Sequence, residues 1–178
     1  MFTDDDQLGE KLKMIANHGQ SKRYYHDIVG CNSRLDSLQA AVLNVKLEYL
    51  DDYIKARIKV ADYYDRAFRG HPRITTPYRA PYTTHAFHQY TLILNEVDRN
   101  GLNQWLAGQN VPSMIYYPVP VHRQQMFDAL GGSDFELKTT DWLTERVISL
   151  PVHTEMDEEQ LKYITGKVLE YINGSRTS

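Results

Sequence analysis

Apolar residues along this chain first recur at helical spacing. Leu8, Leu12, Ile15 and Ala16 are separated by one, three and four residues, which places them along one side of an α-helix. Thr3 and the acidic run Asp4 to Asp6 stand ahead of them as a helix start, because oxygen acceptors and negative charge suit the exposed N–H groups there. Gly19 closes the stripe, and residues 20–32 are turn-rich. A longer pattern opens at Ser33-x-x-Asp36, a capping arrangement. It carries Leu38, Ala41, Val42, Val45, Tyr49, Tyr53, Ala56 and Val60 past Tyr64, with no glycine or proline before Gly70. The spacing predicts one helix well beyond the usual length. Such a helix bridges two domains or builds a subunit interface. Its apolar positions hold no strict heptad, which argues against a coiled coil.

After Gly70 the period changes. Residues 72–81 read as loop, with a short strand around Ile74, and residues 88–94 as strand by their β-branched and aromatic content. Residues 99–109 predict a helix and 111–117 a further strand. Pro118 and Pro120 then force an extended loop. A short helix over 140–147, an extended piece at 148–151 and an amphipathic helix over 157–172 close the chain. The order α, long α, β, α, β, loop, α, α predicts a small α/β (α+β) layer.

Composition narrows the function classes. A net charge of −3 without a basic run argues against nucleic-acid binding. A single cysteine, Cys31, excludes an internal disulfide framework and fits a reducing cytoplasm. Neither a signal peptide nor an apolar membrane span appears. Tyrosine dominates the aromatics, with 13 against 5 phenylalanines and 2 tryptophans, a choice that suits polar-rimmed cores, interfaces and polar-ligand pockets. Metal binding finds no support in the spacing of the histidines: His85 and His88 stand three apart at a strand entrance, on opposite faces, and no His-Glu-x-x-His occurs. There is no Gly-x-Ser-x-Gly elbow or P-loop, and Gly131-Gly132 is only a turn signal.

Three stretches carry more. The first is His18-Gly19-Gln20 followed by Tyr25-His26-Asp27-Ile28-Val29-Gly30-Cys31-Asn32-Ser33-Arg34-Leu35-Asp36-Ser37-Leu38-Gln39-Ala40-Ala41. The second is Tyr116-Tyr117-Pro118-Val119-Pro120-Val121-His122-Arg123-Gln124, and the third Ile148-Ser149-Leu150-Pro151-Val152-His153. In this order they resemble the DegT/DnrJ/EryC1/StrS family of nucleotide-sugar aminotransferases, from about Thr3 to Ile172. Within it, Tyr-x-His-x3-Gly-x-Asn-Ser-Arg-Leu-Asp is most similar to enzymes that aminate UDP-linked 3-keto-hexuronic sugars.

The resemblance implies the C-terminal part of a fold-type I pyridoxal 5'-phosphate (PLP) transferase. Residues 1–35 would end the large PLP domain and form an active-site loop, 36–69 an interdomain helix, and 70–178 the small C-terminal domain. It further implies a cytoplasmic homodimer with shared active sites, a nucleotide-sugar substrate, glutamate as amino donor and a role in polysaccharide synthesis. The family's PLP-binding lysine is expected upstream of the Thr3 to Asp6 helix start, along with the pyridine-pairing aspartate and the ring stacker. The chain alone is then expected to be inactive. Asn32 matches the residue that reaches the PLP phosphate in the neighbouring subunit, although an asparagine at a helix entry also serves as a turn residue. Arg34 suits a sugar carboxylate or diphosphate, or a surface ion pair with Asp36. His26 bonds the sugar or merely satisfies its loop. Tyr116 and Tyr117 match nucleotide-sugar contacts across the dimer, and the first of them is His in some relatives. His122 matches a His that faces substrate in much of the family and that can be replaced in the UDP-hexuronic branch. Two alternatives stay open: a PLP-dependent sugar dehydratase of the same family, with His in place of the lysine, and a non-catalytic dimerisation or ligand-binding domain.

Overall fold

Aspartates open the first two helices. In the computed structural model, which describes residues 3–130 and 135–174, Asp5 caps α1 (Asp6–Ala16) by accepting from the Leu8 N–H at 3.0 Å. Asp36 caps α2 (Ser37–Leu47) by accepting from the Gln39 N–H at 2.8 Å. Each carboxylate satisfies one of the backbone donors that a helix start leaves open. The cap before the second helix is therefore Asp36 itself, not Ser33, whose N–H is spent on the Ala16 carbonyl. The Gly131-Gly132 turn lies outside the described residues.

The helical stretch from Asp36 comes in two segments. α2 ends in a turn at Glu48 and Tyr49, and α3 (Leu50–Phe68) follows. The chain divides into two compact units at this point, residues 1–50 and 51–178. In the first unit, residues 20–32 hold more order than turn signals suggested. β1 (Gln20–Lys22) and β2 (Tyr25–His26) pair antiparallel around a two-residue turn at Arg23 and Tyr24, with Tyr24 at φ 70°.

The second unit is built on an antiparallel sheet, β3 (Ile74–Thr75), β4 (Tyr90–Leu94) and β5 (Val147–Leu150), in the order β3-β4-β5. Alternation along β4 sends Tyr90, Leu92 and Leu94 into the core. They join Val60, Ala61, Tyr64 and Phe68 of α3, Leu102 and Leu106 of α4 (Arg99–Gly108), and Leu161, Ile164, Val168 and Ile172 of α6 (Glu158–Gly174). Two core tyrosines find partners for their hydroxyls: Tyr64 donates to the Pro151 carbonyl at 2.9 Å and Tyr90 to Asp65 at 2.6 Å. The tyrosine-rich composition is in part a polar-rimmed core.

The strand expected over 111–117 is reduced to one bridge, Met114 to Ser149. Pro112 has no N–H to give a ladder. Upstream, Asn110 (φ 57°) and Val111 are held to the end of α4 by N–H bonds to Ala107 and Leu106, a Schellman closure. The 118–120 segment runs into short 3-10 turns, Val121–Arg123 and Gln125–Leu130, before α5 (Lys138–Thr144).

Candidate functional site

The first unit delivers Asn32 and Arg34 by folding their segment onto the end of α1. The Cys31 N–H donates to the Ile15 carbonyl at 2.8 Å, the His18 N–H to Cys31 at 2.9 Å and the Ser33 N–H to Ala16 at 2.9 Å. This approach needs glycine twice: a Cβ on Gly19 would meet the Ile28 carbonyl oxygen at 1.7 Å, and one on Gly30 the Gly19 nitrogen at 2.2 Å. Arg34 donates from Nε to Asn32 Oδ1 at 3.4 Å, which leaves the Asn32 amide hydrogens for an outside acceptor. Among the described residues no carboxylate pairs with Arg34, so the surface pair with Asp36 is not formed. Asn32, Arg34, Leu35, Asp36 and Ser37 line an open cleft of about 530 Å³ at the start of α2, where the Asp36 carboxylate already occupies the helix cap.

His26 is anchored first to its own loop. Its Nδ1 lies 2.8 Å from the His18 carbonyl oxygen, so Nδ1 carries the proton of the neutral ring and Nε2 is left as acceptor. His18 takes φ 59°, a left-handed turn that aims this carbonyl back at the ring. Gln20 Nε2 stands 3.5 Å from His26 Nε2.

In the second unit Tyr116, Tyr117 and His122 have three different placements. Tyr116 lines a cleft of about 230 Å³ with His88, Gln89 and Ser113. Tyr117 is 74% exposed yet holds φ 58°. A left-handed aromatic residue is a backbone outlier, and burial within this chain offers nothing to offset the strain, a pattern found at ligand clamps. His122 is turned inward: its side chain is 10% exposed, and Nε2 lies 3.7 Å from Asp141 Oδ1. That distance exceeds a hydrogen bond, and Nε2 is buried without a hydrogen-bond partner. The other Asp141 oxygen accepts from Arg123 at 2.7 Å. Asp141 had no sequence signal, since nothing in a one-dimensional pattern joins positions 122 and 141. The structure brings Asn32 with Arg34, and His122 with Asp141.

The lysines at 11, 13, 46, 55 and 59 lie on exposed helix positions, with Lys13 paired to Glu10 and Lys55 to Asp52. Among the described residues no cluster of three or more His, Cys, Asp or Glu could hold a metal. No helix there is long and apolar enough to cross a membrane.

The sequence profile of the DegT/DnrJ/EryC1/StrS aminotransferase family matches residues 1–169. The chain belongs to this family. It is 37% identical over 173 residues to a pleiotropic regulatory protein of Geobacillus stearothermophilus, covering 96% of this chain and 46% of that protein. It is also 37% identical over 164 residues to UDP-2-acetamido-2-deoxy-3-oxo-D-glucuronate aminotransferase of Pseudomonas aeruginosa, covering 92% and 44%. Among solved structures, S. venezuelae DesV in complex with a ketimine intermediate superposes with a TM-score of 0.85 at 31% identity, over 99% of this chain and 46% of that one. The chain thus spans less than half the length of the relatives it matches. The α/β fold is that of PLP-dependent aminotransferases, and the family's cofactor is PLP. Two of the residues lining the cleft fit one end of that cofactor: the Asn32 amide and the Arg34 guanidinium suit a phosphate, with the Asp36 carboxylate beside them opposing it.

Proposed function

We propose that this chain is the C-terminal part of a PLP-dependent sugar aminotransferase, which moves an amino group from glutamate to a UDP-linked keto sugar for polysaccharide synthesis in the cytoplasm. The observation that carries the reading is the outward amide of Asn32, fixed by Arg34 at the start of α2, in a chain that matches a sugar aminotransferase family along 1–169. Bound PLP supplies the electron sink for amino transfer. Asn32 holds its phosphate. Arg34 and His26 face the anionic and hydroxyl groups of the sugar, and Tyr116 and Tyr117 orient the nucleotide end. His122 stands behind that loop. The lysine that binds the cofactor lies outside these 178 residues, so the chain by itself is inactive. The active enzyme is a homodimer in which each 32–34 segment serves the neighbouring site. The similarity to the Pseudomonas UDP-3-oxo-glucuronate enzyme favours a UDP-linked 3-keto-hexuronic acid.

The test uses the complete protein, with glutamate and UDP- or dTDP-linked 3-keto sugars. Asn32→Ala is expected to lower PLP retention by cofactor absorbance, by about tenfold for one lost bond to a charged group, before it affects sugar binding. Normal PLP retention in Asn32→Ala, or no amino transfer to any keto sugar nucleotide by the unaltered protein, would overturn the reading.

A further inference from the structure

The segment between Met114 and Arg123 is a span held at two ends. At one end the Met114 N–H donates to the Ser149 carbonyl at 3.0 Å, and the Ser149 N–H returns a bond to Met114 at 2.8 Å. At the other, Asp141 of α5 holds Arg123 and stands beside His122 in the Val121–Arg123 turn. One carboxylate oxygen accepts from Arg123 at 2.7 Å and the other stands 3.7 Å from His122 Nε2. The turn closes on itself as well, through N–H bonds from Arg123 to Pro120 at 2.9 Å and from Gln124 to Val121 at 3.1 Å. Tyr116 and Tyr117 lie between these ends, with Tyr117 in its left-handed conformation. Pro118 and Pro120 pass any shift at the far end back to the tyrosines, because their rings fix φ and remove two hinges.

We propose that Asp141 is a positioning residue: by holding Arg123, beside the inward His122, it sets the direction in which Tyr116 and Tyr117 meet the nucleotide sugar. The clamp is a feature of this chain alone, whereas its effect on substrate rests on the aminotransferase reading. Asp141 is the sole carboxylate among the described residues paired with either side chain. His122 Nε2 beside it is buried without a hydrogen-bond partner. Arg123 is half exposed and gives up little to solvent when released.

Two measurements separate the clamp from the reading. Hydrogen–deuterium exchange of the 178-residue chain is compared for the unaltered protein, Asp141→Asn and Asp141→Ala, alongside thermal melting. In peptides covering 114–127, exchange is expected to rise up to about fivefold for Asp141→Ala and less for Asp141→Asn, which keeps a neutral acceptor for Arg123. Peptides of β4 and α6 stay unchanged. Unchanged exchange at 114–127 overturns the clamp. Should Asp141→Ala melt early throughout, Asp141→Asn and Arg123→Gln decide the matter in the same peptides. In the complete enzyme Asp141→Asn is expected to raise KM for the keto sugar nucleotide several-fold and to leave KM for glutamate unchanged. Equal changes in both overturn the positioning role. A lack of turnover in the unaltered enzyme defeats the aminotransferase reading, and exchange alone then judges the clamp.

Discussion

The two units of this chain use apolar residues in opposite ways. In residues 51–178, apolar side chains from three helices close over one sheet face, and Leu92, Leu94, Leu102, Leu106, Val168 and Ile172 are withdrawn from water completely. In residues 3–50, no side chain of α1 or α2 is fully buried, and Leu12, Met14, Ile15 and Ala16 are only half-buried. Leu38 is 77% exposed, and Val42, Leu43, Val45 and Leu47 share its fate. Contiguous exposed apolar surface of this kind marks an interaction surface. The first unit holds its shape through backbone bonds and glycine contacts around Asn32, the second through burial. A unit with its own buried core therefore sits in the same chain as a segment rich in exposed apolar residues, which under the proposed reading meets the PLP domain and the partner subunit.

The largest expected effect contrasts the two. Leu92→Ala removes a fully buried side chain from the sheet and is expected to cost about 2–5 kcal/mol in urea unfolding. Val42→Ala on α2 is expected to change stability by less than about 0.5 kcal/mol. A Val42 variant as damaging as the Leu92 variant would mean that α2 packs within the monomer after all.

Next comes a pH dependence carried by two core tyrosines of the second unit. Burial raises the Tyr64 hydroxyl above its ordinary value of 10.0. The Tyr90 hydroxyl is raised by burial and then by its hydrogen bond and charge contact with Asp65, with Arg79 opposing. Both groups stay protonated in the folded state when the unfolded chain ionises. The stability tied to them is thus fully present below pH 10 and declines as pH rises above that value toward the folded pKa. Denaturant midpoints measured from pH 8 to pH 11 should fall above pH 10, and the double variant Tyr64→Phe/Tyr90→Phe should flatten the fall. An unchanged slope in that variant would assign the loss to other groups.

Legibility in the sequence followed the same division. The second unit was readable because its signals are local: β-branched and aromatic content for β4, and turn-marked helices over 99–109 and 157–172. Where reading failed, a tertiary contact decided. Pro112 and the Schellman closure at Asn110 leave Met114 one bridge where a strand was expected. The β1–β2 hairpin carries too few apolar residues to show alternation. The break at Glu48 and Tyr49 has no glycine or proline to announce it. For the site, motif resemblance pointed to Asn32, Arg34 and Tyr117. It could not show that Arg34 turns to Asn32, that His122 points inward, or that Asp141 waits for it, because these depend on side-chain direction across separate elements.

The smallest effect is the most discriminating, since it asks whether Tyr117 serves the fold or a ligand. An L-residue at φ 58° stores about 1–2 kcal/mol of strain that glycine does not feel, while glycine gives back about 0.5–1 kcal/mol through the freer unfolded chain. Because Tyr117 is mostly exposed, little packing is lost with its ring. Tyr117→Gly is therefore expected to leave stability unchanged or raise it by up to about 1 kcal/mol. Tyr117→Phe keeps the backbone and ring and should stay within about 0.5 kcal/mol of the unaltered protein. In the complete enzyme the order reverses: Tyr117→Phe should weaken nucleotide-sugar binding by about 0.5–1.5 kcal/mol for a neutral hydrogen bond, and Tyr117→Gly by more, since stacking area goes as well. Paired melting curves and sugar-nucleotide KM values read both scales. A Tyr117→Gly protein that melts lower and binds sugar normally would make the tyrosine a structural residue, and its strained backbone would then need another cause.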